Sequence, residues 1–219
     1  MTVVYEDNHI IIVNKSSSEI VQGDKTGDTP LSELVKQYIK KTYAKPGEVF
    51  LGVVHRLDRP VSGLVLFART SKALSRLGRM FAEGEVHKTY WAIVHECPEQ
   101  PQATLVHWLV RNERQNKSYA YDHEVPHSKR AELDYRVIGH SQHYHLVEVN
   151  LKTGRHHQIR CQLAAIGCPI KGDLKYGARR SNPDGSISLQ AHAVQFIHPV
   201  SKADINITLQ PEGEFSMFF

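Results

Sequence analysis

An α+β domain, built on a mainly antiparallel or mixed β-sheet with flanking helices, is the fold the sequence predicts. Three observations lead there. Segments with strand character outnumber those with helical periodicity, and they come in runs instead of regular alternation with helices. The chain of 219 residues, 41% of them hydrophobic, can also bury one sizeable core. A single domain spanning 1–219 is therefore expected.

Each element follows from local pattern. "YEDNHIIIVNK" reads as a turn and then a short strand, Ile10 to Asn14. After a polar loop from Ser16 to Asp28, Thr29 can cap a helix with Pro30 at its first position. Leu31, Leu34, Val35, Tyr38 and Ile39 then recur at helical spacing. Gly63 to Ala68 is a short apolar strand, and Ser71 caps a helix carrying Leu74, Leu77 and Phe81 with Gly84 at its end. Strand character returns at Tyr90–Val94, Thr104–Val110, Ala131–Ile138, Tyr144–Leu151, Leu189–Ile197 and Ile205–Leu209. A further helix is predicted over His156 to Ile166, with Ile159, Leu163 and Ile166 inward and Gly167 stopping it.

Composition excludes several classes. The longest apolar runs, Ile10–Val13 and Leu64–Ala68, are far too short to span a bilayer, and the N-terminus reads as strand, not as a charged leader. Cys97, Cys161 and Cys168 form no CxxC pair and are odd in number, which suits reduced thiols in the cytoplasm. Net charge is +4 overall, yet Asn150 to Arg180 holds three lysines and four arginines against Asp173 alone. That segment is +6, so the remainder is −2. A basic concentration of this kind points to a polyanionic partner such as nucleic acid, or simply to a solvated basic face.

The segment "HRLDRP" sets one carboxylate, Asp58, between Arg56 and Arg59. On its own an aspartate before a proline turn is most simply a turn cap. It is accompanied by "KTYWAIV", by "LKTGRHHQIR" with "CPIKGDLKYG", and by "LQAHAVQFIHP". In order and spacing these segments resemble the RluA family of RNA pseudouridine synthases, over nearly the whole chain. The resemblance implies a catalytic domain with a central active-site cleft. It also implies a cofactor-free isomerase that detaches uracil from ribose, turns it, and rejoins it through carbon 5.

In the resemblance Asp58 is the catalytic aspartate, and the chemistry suits it: an ionised carboxylate can attack the sugar or take its C2′ proton. Arg160 matches the basic residue that pairs with that aspartate and holds it charged. Tyr90 matches the aromatic that stacks on the target base, its hydroxyl assisting late proton removal. Arg56 matches the residue that fills the space left by a flipped-out uridine, with a plain phosphate contact as its alternative role. Arg59, His55, Lys88, Arg155 and His157 are expected as further substrate contacts. Taken singly, Tyr90 also fits a core tyrosine at a strand start, and Arg160 a solvent-facing helix arginine.

Two positions depart from the family pattern: Ser16 stands where proline is usual, and Val61 where threonine is usual. Many relatives carry an S4-type RNA-binding domain ahead of the catalytic one. Here 54 residues precede His55, so a bare catalytic domain is expected. The expected partner is ribosomal or transfer RNA, with no membrane, no obligatory protein partner and a monomeric state.

Competing functions leave different marks. Fourteen histidines invite a metal hypothesis, yet no HExxH or Cys/His spacing occurs, and His156 and His157 on a helix would point to different faces. No metal and no cofactor is therefore expected at the site. A non-catalytic RNA-binding protein on the same scaffold would need the basic groups but not a carboxylate among them. A glycosidase requires two carboxylates flanking the bond, and the motifs supply one.

Overall fold

In a computed structural model, which describes residues 1–219, the chain divides into two compact units. The first comprises Met1–Val86 and Ala193–Leu209, and the second His87–His192 and Gln210–Phe219. The mixture of strands with few helices agrees with the α+β expectation. No helix is long and apolar enough to cross a membrane.

The first unit opens with strands β1 (Thr2–Glu6) and β2 (Ile10–Lys15), an antiparallel pair. Asp7 turns the hairpin by accepting from the backbone N–H groups of His9 and Ile10 at 2.7 and 2.9 Å. The stretch read as a turn in the sequence is thus partly strand. Next come helix α1 (Leu31–Thr42), strands β3 (Gly52–Val53) and β4 (Ser62–Ala68), and helix α2 (Ser71–Glu83). β4 pairs antiparallel with both β2 and β3. Ile10, Ile12, Leu64, Leu66 and Ala68 pack with Ala73, Leu77 and Met80 of α2. The alternate residues Ile11, Val13, Val65 and Phe67 are fully buried too, so both faces of these strands are covered.

Helix starts differ from expectation by one residue, for visible reasons. α1 has Pro30 at its cap position and no side-chain cap; its first N–H groups, Leu31 and Ser32, donate instead to the carbonyls of Ile20 and Val21. Thr29 is not needed there. α2 is capped by Thr70, whose hydroxyl accepts from Ala73 N–H at 3.1 Å, and not by Ser71. Gly84 ends α2 at φ +76, a left-handed conformation that glycine adopts without strain.

The second unit is a run of antiparallel strands: β5 (His87–Val94), β6 (Gln102–Asn112), β7 (Lys117–Tyr121), β8 (Lys129–His140) and β9 (His145–Leu151). Their order is β5-β9-β8-β6-β7. β7 escaped sequence reading because its pattern is inverted. Small Ser118 and Ala120 alternate with the exposed Tyr119 and Tyr121, so no apolar alternation marks a buried face. Helix α3 spans Gln158–Ala165, shorter than predicted, because His157 takes a left-handed φ of +52 and breaks the helix at its start. β10 (Leu189–Ile197) carries the chain from this unit back into the first, where its second half pairs with β11 (Asp204–Thr208).

Candidate active site

Asp58 lies in the first unit, on the loop between β3 and β4. Buried Leu57 and Val61 anchor this loop, and a turn closes it as Val61 N–H donates to the Asp58 carbonyl at 3.0 Å. Lys15, the last residue of β2, is 1% exposed. Its ammonium donates to the carbonyls of Ser16 (3.0 Å), Arg59 (3.1 Å) and Val61 (2.6 Å). One buried charge thereby fixes the backbone on both sides of Pro60, two residues from Asp58. Burial pushes the Lys15 ammonium down to about 8, against the pull of Glu19 and Asp58, so it stays mostly charged at neutral pH.

Sequence reasoning gave Lys15 no role. A signal was available: the strand period puts position 15 on the same inward face as Ile11 and Val13, and a lysine there needs buried acceptors. The two departures fit the same clamp. Ser16 donates its N–H to Glu19 at 2.8 Å, a bond proline cannot make, while Val61 holds the loop through its carbonyl and buried methyls without a hydroxyl.

The basic residues around Asp58 divide. Arg56 is exposed and has no hydrogen-bond or ion-pair partner. Arg59, expected among the RNA contacts, is engaged elsewhere: its guanidinium donates to Asp28 at 2.7 Å, Thr26 at 2.8 Å and Asp24 at 3.3 Å. It ties the polar loop to the turn. His55 is engaged within the first unit. Its Nε2 accepts from Leu66 N–H at 2.9 Å and its ring stacks on Phe81 with centroids 5.0 Å apart, so it braces β4.

In the second unit, Tyr90 is 8% exposed on β5, opposite Val149. Lys88 shares its strand face, and its ammonium lies beside Gly154, where an added β-carbon would stand 3.7 Å from Nζ. Burial lowers the Lys88 pKa. The segment Thr153–His157 is stapled by Gln158: its Oε1 accepts from Thr153 Oγ1 at 2.8 Å and Arg155 N–H at 2.9 Å, and its amide donates to the Glu132 carbonyl at 3.1 Å. Arg155 is exposed, with Nε donating to the Arg130 carbonyl at 3.0 Å.

Arg160 is not the solvent-facing helix residue its spacing allowed. It is buried on α3, and it grips Asp173 in a bidentate pair, Nε to Oδ2 at 2.7 Å and Nη2 to Oδ1 at 2.9 Å. The Tyr176 ring lies 5.1 Å from the guanidinium carbon. Asp173 was seen in the sequence only as the lone acid of the basic segment; its i+13 spacing from Arg160 matches no local motif. Gly172 beside it takes φ +87, and a β-carbon there would meet the Ser186 carbonyl at 2.7 Å.

His157 lies beside the Tyr176 ring. It is buried, its Nδ1 lies 2.9 Å from the Tyr176 hydroxyl, and its ring stacks on His156 at 3.7 Å. The two rings share a face because His157 is not helical. Burial and then the charge of Arg160 push the His157 imidazole down to about 2, so it is neutral and structural. Burial in turn pushes the Tyr176 hydroxyl up, and that hydroxyl also accepts from Ser118 N–H at 2.8 Å.

Comparison with known proteins adds a family context. Residues 9–165 match the family described as RNA pseudouridylate synthase, a span that includes Asp58, Tyr90 and Arg160. The chain is 29% identical to a "Ribosomal large subunit pseudouridine synthase D" from Zymomonas mobilis, covering 100% of this chain and 72% of that protein. It is 32% identical to a "Ribosomal large subunit pseudouridine synthase C" from Vibrio cholerae, covering 94% of this chain and 64% of that protein. The fold is similar to that of human RNA Pseudouridylate Synthase Domain Containing 4, with a TM-score of 0.81 at 20% identity, over 98% of this chain and 90% of that one.

Proposed function

The chain belongs to the RNA pseudouridylate synthase family, and on that premise we propose that it converts uridine to pseudouridine in RNA with Asp58 as the reacting group. The observation that carries the assignment is the Lys15 clamp. A fully buried ammonium, bonded to the Arg59 and Val61 carbonyls of the Asp58 loop and to the Ser16 carbonyl just beyond the end of β2, holds that loop in a fixed conformation. Buried charge is expensive, and a positioned carboxylate is a reason to retain it.

The isomerisation breaks the N1–C1′ bond and makes a C5–C1′ bond; a proton leaves C5 and one is gained at N1. Nothing is oxidised. Ionised Asp58 either attacks C1′ or removes the C2′ proton, and either step frees uracil to turn within the site. Tyr90 stacks on the extruded base, and its phenolic oxygen takes or relays the C5 proton. Arg160, oriented by its bidentate pair with Asp173, is the basic residue that the resemblance assigns as partner of the catalytic aspartate. Lys88, Arg56 and Arg155 carry phosphate contacts, which fix register without reading sequence.

The names of the two bacterial relatives favour ribosomal RNA over transfer RNA as substrate, with the chain acting as a cytoplasmic monomer. The test is Asp58→Asn, assayed by tritium release from 5-tritiated RNA, with RNA affinity and melting temperature measured beside it. The amide keeps shape and deletes charge, so release should stop while binding and stability persist. Release at the wild-type rate would remove Asp58 from the chemistry.

A further inference from the structure

We propose that Cys97, His140 and His145 form a zinc-binding site on the second unit. None of them is among the residues assigned to the uridine chemistry. One ligand atom from each, the Cys97 sulfur and a ring nitrogen of each histidine, lies within 4.8 Å of the other two. The two Nδ1 atoms are 2.8 Å apart.

The topology explains why they meet. His140 and His145 are directly opposed at the end of the β8–β9 hairpin, and opposed residues on one face of an antiparallel pair carry their β-carbons about 5 Å apart. On its other side β9 pairs with β5, with His145 opposite Val94, so the chain leaving β5 passes this same corner. Cys97 lies three residues beyond Val94 and completes the set. Two strands and the connection leaving a third thus deliver three ligands to one rim of the sheet, a placement that linear spacing cannot reveal.

The separations suit the ion. Tetrahedral zinc with nitrogen ligands near 2.05 Å and sulfur near 2.3 Å requires about 3.3 Å between nitrogens and about 3.6 Å between nitrogen and sulfur. The histidine nitrogens need only spread by a few tenths of an ångström, and side-chain rotation brings the sulfur in. Two imidazoles and one thiolate favour zinc among the available divalent ions, because calcium and magnesium prefer oxygen. The neighbouring Glu96 carboxylate is already engaged by His95 and Arg179, each at 3.0 Å, so water completes the tetrahedron. On binding, the Cys97 thiol gives its proton to solvent and each imidazole binds as the neutral ring. The ion then ties the β5–β6 connection to the β8–β9 hairpin.

The test uses the untagged full-length chain, stripped with chelator and titrated with zinc and, separately, with cobalt. One tightly held equivalent of zinc is expected, a thiolate-to-cobalt charge-transfer band, and a melting temperature that rises with zinc. Cys97→Ser and His145→Gln should each lose the equivalent and the melting shift. His123→Gln, at an exposed histidine outside the cluster, should keep both. The ligands are exposed or half-buried, so the variants should match wild type in circular dichroism and in melting under chelator. No bound zinc in the wild-type chain overturns the proposal, as does zinc retained by Cys97→Ser or bound cobalt without a thiolate band.

Discussion

Replacing Lys15 by methionine separates what the clamp contributes to stability from what it contributes to activity. Methionine fills a similar volume, so packing is largely kept. Burial lowers the Lys15 ammonium from 10.5 to about 8, which means that holding it charged in the folded chain costs about 3 kcal/mol at neutral pH. Charge-assisted bonds to carbonyls contribute about 1.5 to 3 kcal/mol each. The variant strips the Ser16 and Val61 carbonyls outright, whereas the Arg59 carbonyl keeps the Ser18 N–H at 2.9 Å. The opposing contributions nearly cancel, and a net destabilisation of about 1 to 2 kcal/mol is expected at pH 7. Activity should suffer far more, because a loop displaced by about 1 Å costs about a hundredfold in rate.

The sign of the pH dependence is fixed by the same shift. Between about 8 and 10.5 the unfolded chain holds the Lys15 proton and the folded chain has lost it, so stability contributed by this group rises with pH through that window. Urea melts of wild type and Lys15→Met at about pH 7 and about pH 9.5 should show the gap widening in favour of wild type at the higher pH. Single-turnover kinetics at neutral pH should show the rate loss with RNA affinity retained. A gap that stays constant or narrows would refute a buried ammonium at this position. Full activity in Lys15→Met would refute the positioning argument.

Other expectations follow from the partner sets. Arg56→Ala should lower the slope of log affinity against log salt by about one, as loss of one phosphate contact requires, while Arg59→Ala should leave the slope unchanged. Equal changes would return Arg59 to the RNA. Tyr176→Phe leaves the buried Ser118 N–H without its hydroxyl acceptor and should cost about 1 to 3 kcal/mol in denaturant melts; an unchanged midpoint would mean another acceptor takes over. Tyr90→Phe keeps the stacking face, so it should bind RNA normally and release pseudouridine slowly, whereas Tyr90→Leu should weaken binding by about 1 to 3 kcal/mol as well. A fully active Tyr90→Phe would remove the hydroxyl from the mechanism. Asp173→Asn leaves Arg160 buried beside a neutral amide, and turnover should fall by more than RNA affinity; equal losses would make the pair a binding element.

What the sequence made legible, and what it hid, follows from how each residue is constrained. β2, β4 and α2 were readable because each must bury an apolar face at a fixed period. The caps of α1 and α2 were displaced by one residue because Thr29 has the chemistry of a cap without being one, and because Thr70 and Ser71 offer adjacent hydroxyls of which only Thr70 is used. Only the path of Ile20 and Val21 decides that α1 needs no side-chain cap. The Arg160–Asp173 pair was hidden for a different reason: it joins a helix to a loop 13 residues on, a separation set by tertiary folding and not by any repeat. Within the motifs the ambiguity goes deeper. His55, Arg59 and His157 occupy motif positions as plainly as Asp58 does, yet one braces a strand, one pins a loop and one is buried neutral beside Tyr176. A motif preserves a residue's identity whether that residue touches substrate or holds the group that does, because both roles fix its chemistry equally. Only partner atoms tell them apart. Arg56 is the counter-example within the same six residues, exposed and without a partner in the protein, which leaves it as the arginine of "HRLDRP" able to engage RNA without first breaking an ion pair.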